Sequence, residues 1–240
     1  MGFPSNSFNA FSNFPPPPPF GNSNWLQSLS APIKRRAFFS FYFGDIMRVN
    51  VVRNAWKVVR PDGALGGRTF YDSSLWESRQ FEDPETLKRL IREGVGYTSV
   101  VCVLVGTQTA IRRWVRYEIA RAIIARRGLL AVHLNGIRHH QPLVPHVRGP
   151  NPLASMAVGK LQPNNALLPP VYYLFEYTQQ GWVRYRDHTD PVSLPTYLPD
   201  LSPGYVMPLS AGTAEWDYIA NDGSKNIGLW IDRAAQAVGR

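Results

Sequence analysis

Apolar positions recur along this chain in two rhythms, and the switches between them mark out the elements. The run Ala37-Phe38-Phe39-Ser40-Phe41-Tyr42-Phe43 is short, apolar and aromatic, the pattern of a buried strand. Val49, Val52, Ala55, Trp56 and Val59 then follow at helical spacing until Pro61 stops the helix. Arg68 to Asp72 predicts a second strand. Asp83-Pro84-Glu85 predicts a helix start, with Asp83 as cap, Pro84 in the first turn and Glu85 at the positive end of the dipole. Leu87, Leu90 and Ile91 give that helix its apolar side, and Gly94 is expected to close it. Thr98 to Val105 is nearly all β-branched, as a strand covered on both faces would be. A third helix is predicted over Arg112 to Arg127, with Gly128 as its stop, and Leu129 to Leu134 predicts a fourth strand.

Strands and helices that alternate with short links imply a parallel sheet with helices on both faces. In open sheets of this kind, ligands bind beyond the carboxyl ends of the strands. Those ends are Tyr42 to Asp45, Asp72 to Trp76 and Gly106 to Thr109. After Leu134 the pattern loosens. Residues 135–170 are rich in Pro, Asn and Gly and are expected to run over the surface. Val171 to Tyr177 and Trp182 to Arg186 flank Gln179-Gln180-Gly181, which predicts a β-hairpin. The aromatic and aliphatic residues from Glu215 onward are expected to pack on the domain. These readings divide the chain into a tail (1–33), an α/β core (34–135) and a C-terminal extension packed on it (136–240).

Composition adds three constraints. Residues 1–33 contain no charged side chain and include five consecutive prolines, Pro15 to Pro19, so an extended, disordered tail is expected. The single cysteine, Cys102, lies inside an apolar run, which excludes an internal disulfide framework and predicts a buried, inert thiol. No run approaches the roughly 18 apolar residues of a membrane span, and no basic segment precedes an apolar leader, so a soluble cytoplasmic protein is expected.

The formal charge of +9 is unevenly spread. Seven basic residues between Lys34 and Arg60 face one acid, Asp45, and six arginines between Arg112 and Arg127 face one acid, Glu118. Such stretches are either solvated helix faces or sites for phosphate-bearing partners.

Familiar nucleotide cradles are missing. No Gly-x-Gly-x-x-Gly follows the first strand, no P-loop occurs, and the five histidines lack metal-ligand spacing. The segment Arg112-Arg113-Trp114-Val115-Arg116-Tyr117-Glu118-Ile119 is more informative. Ile111, Val115, Ile119 and Ala122 form an apolar stripe, and Trp114 and Glu118, four residues apart, lie together on its edge. A carboxylate there, partly desolvated beside an indole, suits a flat aromatic such as nicotinamide. The same spacing also allows Glu118 simply to pair with Arg112 or Arg121.

The ordered series Phe38-Phe39-Ser40-Phe41, Arg48 to Trp56, Asp72-Ser73-Ser74-Leu75-Trp76-Glu77, Thr98-Ser99-Val100, Leu104-Val105-Gly106 and Arg113 to Ile119 resembles the TIR-like family, in particular its Thoeris antiphage branch. The likeness runs from about residue 36 to the C-terminus. It implies a flavodoxin-like TIR domain that cleaves NAD as a substrate, with no resident cofactor. It further implies Glu118 as the catalytic carboxylate and Trp114 as its pocket neighbour. Phe41 and Tyr42 would contact the nicotinamide side, and the loop from Asp72 through Ser74 to Trp76 would gate the site. The implied product is a cyclic ADP-ribose-like signal, read by a separate effector in antiphage defence. TIR–TIR self-association is an implied contact, and neither membrane nor nucleic acid is an expected partner. The rival readings are a non-catalytic TIR scaffold and a basic nucleic-acid-binding module.

Overall fold

The computed structural model describes residues 35–58, 70–72, 83–138, 145–165 and 167–240. Strands β1 (Ala37–Phe41), β2 (Phe70–Asp72), β3 (Val100–Val105) and β4 (Gly128–His133) alternate with helices α1 (Ile46–Val58), α2 (Pro84–Gly96) and α3 (Arg113–Ile124). All pairs among these strands are parallel: Ala37 sits beside Phe70 on one side and Val100 on the other, and Val100 beside Gly128. Strand β9 (Ala214–Asp217) joins β4 in parallel as well, and the sheet order is β2-β1-β3-β4-β9. That order is the doubly wound, flavodoxin-like one.

Alternation in β1 and β3 sorts the side chains onto two faces. Ala37, Phe39, Phe41, Val100, Cys102 and Leu104 meet α1 and the C-terminal helix α4 (Gly223–Gln236). Phe38, Val101, Val103 and Val105 meet α2 and α3. Every residue of β1, β3 and β4 is buried, which is why they read as continuous apolar runs.

The predicted helix starts stand and two predicted stops move. Asp83 caps α2, its carboxylate accepting from the N–H groups of Glu85 and Thr86 at 3.1 and 3.2 Å. That helix passes through Gly94, which is buried, and ends at Gly96. Helix α3 ends at Ile124, and Arg126 takes the left-handed position (φ 52°) that closes it. Gly128 opens β4 instead. A side chain there would run into the backbone carbonyl of Ala234 on α4, so close approach accounts for this glycine.

Residues 135–170 do more than cross the surface. They contain β5 (Met156–Leu161), whose first four residues are buried at the centre of a second, antiparallel sheet, β7-β6-β5-β8. The predicted hairpin is there as β6 (Val171–Thr178) and β7 (Gly181–Arg184), and Gly181 supplies the positive φ of 89° at the turn. Strand β8 is Val206–Pro208. This sheet brings Met156, Val158 and Leu174 against the side of α3 that faces away from the main sheet. Helix α3 is therefore sandwiched, and Tyr117 and Ala120 are buried along with the predicted Val115, Ile119 and Ala122. Ile111, expected on the stripe, lies in the turn before the helix and is 67% exposed.

The aromatic residues near the C-terminus pack on the domain, Trp216 stacking on Trp230 with ring centres 5.0 Å apart. Cys102 is buried, and burial pushes its thiol well above the usual range. Lys34–Arg240 form one compact unit. No helix among the described residues is long and apolar enough to cross a membrane.

Candidate active site

Ser40 is the one polar residue in β1, and pleating turns it to the same face as Phe38, toward α3. From the second turn of α3, Glu118 points back at that strand. The Ser40 hydroxyl donates to Glu118 Oε2 at 2.5 Å, and both residues are fully buried. A hydroxyl bond of this length fixes the orientation of the Glu118 carboxyl group. Taking an ionised carboxylate into the core is costly unless it is hydrogen-bonded, so a glutamate here needs a reason beyond packing.

One turn earlier on α3, Trp114 is half-buried against the same core. Its indole meets the Tyr117 ring edge-on at 6.1 Å, and the Arg113 guanidinium lies 5.2 Å from its centre. Arg112, at the N-terminal end of α3, stacks its guanidinium 3.6 Å over the ring of Tyr42. Tyr42 is thereby tied to the start of the helix that carries Trp114 and Glu118. Phe41 goes the other way: its ring packs on the α1 side of the sheet, with the Arg53 guanidinium 5.0 Å from its centre. The backbone of Asp72 lies beside Phe39 at the carboxyl end of β2. Ser74 and Trp76 fall outside the described residues.

At the carboxyl edge of the sheet, Asp45 and Thr107 lie on the predicted strand ends, but the groups they and β4 meet, His146, Arg148, Asn151 and Glu215, were marked by no sequence pattern. Asp45 is buried under Gly106, where any side chain would land on its carboxylate. Arg48 Nη1 lies 3.5 Å from Asp45 and His146 Nε2 3.9 Å. Thr107 Oγ1 is 2.7 Å from His146 Nδ1, which binds the segment 145–151 over the end of β3. Beyond β4, Glu215 is met by His133 Nε2 at 2.8 Å, Arg148 at 2.5 Å and Asn151 at 2.7 Å. Burial alone would raise the Glu215 carboxyl, but bonds from Asn151, His133 and Arg148 hold it below the usual range. Burial likewise depresses the imidazole of His133, which stays neutral at pH 7.

The basic face of α3 is largely engaged with the second sheet and the segment after it. Arg113 grips Asp187 through two bonds of 3.2 and 2.9 Å, with Lys88 at 3.2 Å from the same carboxylate. Arg116 lies 3.7 Å from Glu176.

A parallel sheet in this order with helices on both faces defines a doubly wound, flavodoxin-like α/β protein. Residues 38–139 match the family described as Thoeris protein ThsB, TIR-like domain. Over 200 residues the chain is 34% identical to a protein of Bacillus cereus (strain MSX-D12) named "Putative cyclic ADP-D-ribose synthase ThsB1", covering 82% of this chain and 99% of that relative. The chain belongs to the Thoeris ThsB TIR-like family.

Proposed function

We propose that this protein cleaves the nicotinamide–ribose bond of NAD and closes the remainder into a cyclic ADP-ribose-type nucleotide. The observation that carries this reading is the Ser40–Glu118 pair, a carboxyl group held in a fixed orientation inside the sheet–helix interface, where it is wholly enclosed and would have to be uncovered as substrate enters. The name of the Bacillus cereus relative supports the same product class.

The chemistry needs one carboxylate. Nicotinamide is already cationic in NAD and leaves with the bonding electron pair, so no general acid is required. Departure leaves an oxocarbenium-like ribose, as in glycoside cleavage. Glu118 stabilises that positive charge, and its orientation by Ser40 means no reorganisation is needed as the charge develops. Attack by an adenine nitrogen or a ribose hydroxyl on the same carbon, with loss of a proton, closes the ring; attack by water gives ADP-ribose. Trp114 would stack beside the nicotinamide, Tyr42 would flank it, and Arg112 is a cation suited to the diphosphate. Asp72, Ser74 and Trp76 would gate the entrance. The signal would then act on a separate effector during antiphage defence, and TIR–TIR contacts would assemble the enzyme.

Mass spectrometry of NAD incubated with the purified chain tests the reading. Nicotinamide should appear together with a nucleotide one water lighter than ADP-ribose. Unconsumed NAD, both alone and with extract from phage-infected cells, contradicts it and favours the scaffold reading.

A further inference from the structure

At the end of α3 remote from Trp114, a cavity of about 330 Å³ lies between the helix terminus, residues 193–197 and the last turn of the chain. Its size falls within the range of small-ligand pockets. Its lining is partly apolar, from Ile123, Leu194, Pro195, Val238 and the ring of Tyr197. It also carries two cations adjacent in sequence, Arg126 and Arg127, and among the described residues no carboxylate side chain lines it.

The two arginines are unusual in different ways. Arg126 occupies the left-handed position of the helix cap, with the Arg127 N–H returning to the Ala122 carbonyl at 2.8 Å. Glycine is the residue that fits this position without strain; arginine costs about 1 kcal/mol more. Among the described residues its side chain makes only a neutral contact, donating to Ser193 Oγ at 2.8 Å. Arg127 donates through Nη2 to the Gly96 carbonyl at 2.5 Å, while its Nε is buried with no hydrogen-bond partner among the described residues. The hydroxyl of Tyr197 is likewise buried with no partner among the described residues. Nearby Arg240 adds to the positive field felt by Arg127. The cavity thus joins positive charge not compensated by any acid among the described residues of its lining, two buried polar groups lacking partners among those residues, and apolar lining.

We propose that this cavity is a second small-molecule site, taking a phosphate-bearing ligand of mononucleotide size. The phosphate binds between Arg126 and Arg127, and the flat body of the ligand lies against Leu194, Tyr197 and Val238. A bare anion would leave the apolar lining unused, and an uncharged apolar ligand would leave both guanidinium groups without an anion. The site is separate from Glu118, which lies six residues before the end of α3, about 9 Å of helix rise.

Adenosine monophosphate is a suitable probe, measured by titration calorimetry on the full chain beside inorganic phosphate. AMP should bind, and more tightly than phosphate. Arg126→Gln should weaken AMP about tenfold, or about 1.4 kcal/mol. Val238→Trp, which fills the cavity and leaves both arginines in place, should abolish binding while the melting temperature and NAD turnover without AMP stay at wild-type values. No binding at about millimolar AMP overturns the proposal. So does binding that survives both substitutions, since AMP would then occupy another site, the NAD site included. The readout is binding, so it stands or falls independently of whether NAD is cleaved.

Discussion

Ser40 and Glu118 lie 78 positions apart in the chain, and only the parallel sheet brings them to 2.5 Å. The polar residue in the middle of Phe38-Phe39-Ser40-Phe41 was the signal that could have marked Ser40, since a buried strand has little other use for a hydroxyl. On the proposed mechanism Ser40 would be a positioning residue, acting through Glu118. Ser40→Ala should leave the carboxylate short of a buried donor at a cost of about 1–3 kcal/mol. It should also lower kcat while KM for NAD changes little, and Ser40→Thr, which keeps the hydroxyl, should restore most of kcat. Steady-state kinetics with thermal unfolding on the three proteins separates these effects; an alanine variant with wild-type kcat contradicts the role. His133 makes a second prediction at this scale. Its imidazole is depressed from an ordinary value of 6.5 by burial, chiefly, with the Glu215 bond opposing. In the range below 6.5 the unfolded chain therefore binds a proton that the folded chain does not, and stability falls as pH drops through that window. His188 is depressed by burial too and contributes in the same direction. Replacing His133 with Gln, which can still donate toward Glu215, should flatten the decline below pH 6.5, read from urea unfolding at each pH. An unchanged pH dependence excludes His133 as a source.

Among the elements, α3 carries most of the account. Its start and apolar stripe were legible because Val115, Ile119 and Ala122 follow the helical period, but it ends at Ile124 rather than Arg127, and Glu118, expected partly desolvated at the stripe's edge, is wholly buried. Its surroundings were legible only in part. The β6–β7 hairpin of the second sheet stood out around its turn, but β5, with Gly159 and Lys160 in its second half, carries no alternation long enough to register, and β8 has three residues. Gly94 and Gly128 misled for a related reason: a glycine marks a helix stop or a close approach equally well, and only the packing of α4 on β4 explains Gly128. The α3 arginines read as a solvated or phosphate-binding face because their acids, Glu176 and Asp187, arrive from distant sequence. Arg113 holds the Asp187 carboxyl below its usual range, aided by Lys88. Asp187→Asn should therefore loosen residues 181–190 from α3 and cost about 1 kcal/mol, after allowing for the exposure of Arg113. Hydrogen exchange should show faster opening of β7 with β3 unchanged; uniform protection across both would show that the contact is not holding the segment.

For the whole molecule, the compact unit begins at Lys34. A chain lacking residues 1–30 should keep its melting temperature and its NAD chemistry, and aggregation of the truncated protein would move that boundary. The net charge of +9 does not by itself make a nucleic-acid binder, because Arg113 and Arg116 already face acids of the same chain. Binding to DNA or RNA that falls steeply with salt would support the nucleic-acid reading instead. The central claim is that this fold exists to hold one carboxylate against a ribose, and Glu118→Gln tests it most directly. Glutamine can still accept from Ser40 and fills the same space. NAD turnover and thermal unfolding, measured on the same preparation, should show turnover down by about 100- to 1,000-fold with the melting temperature close to that of the unaltered chain. A folded Glu118→Gln protein that consumes NAD at the original rate would contradict the account.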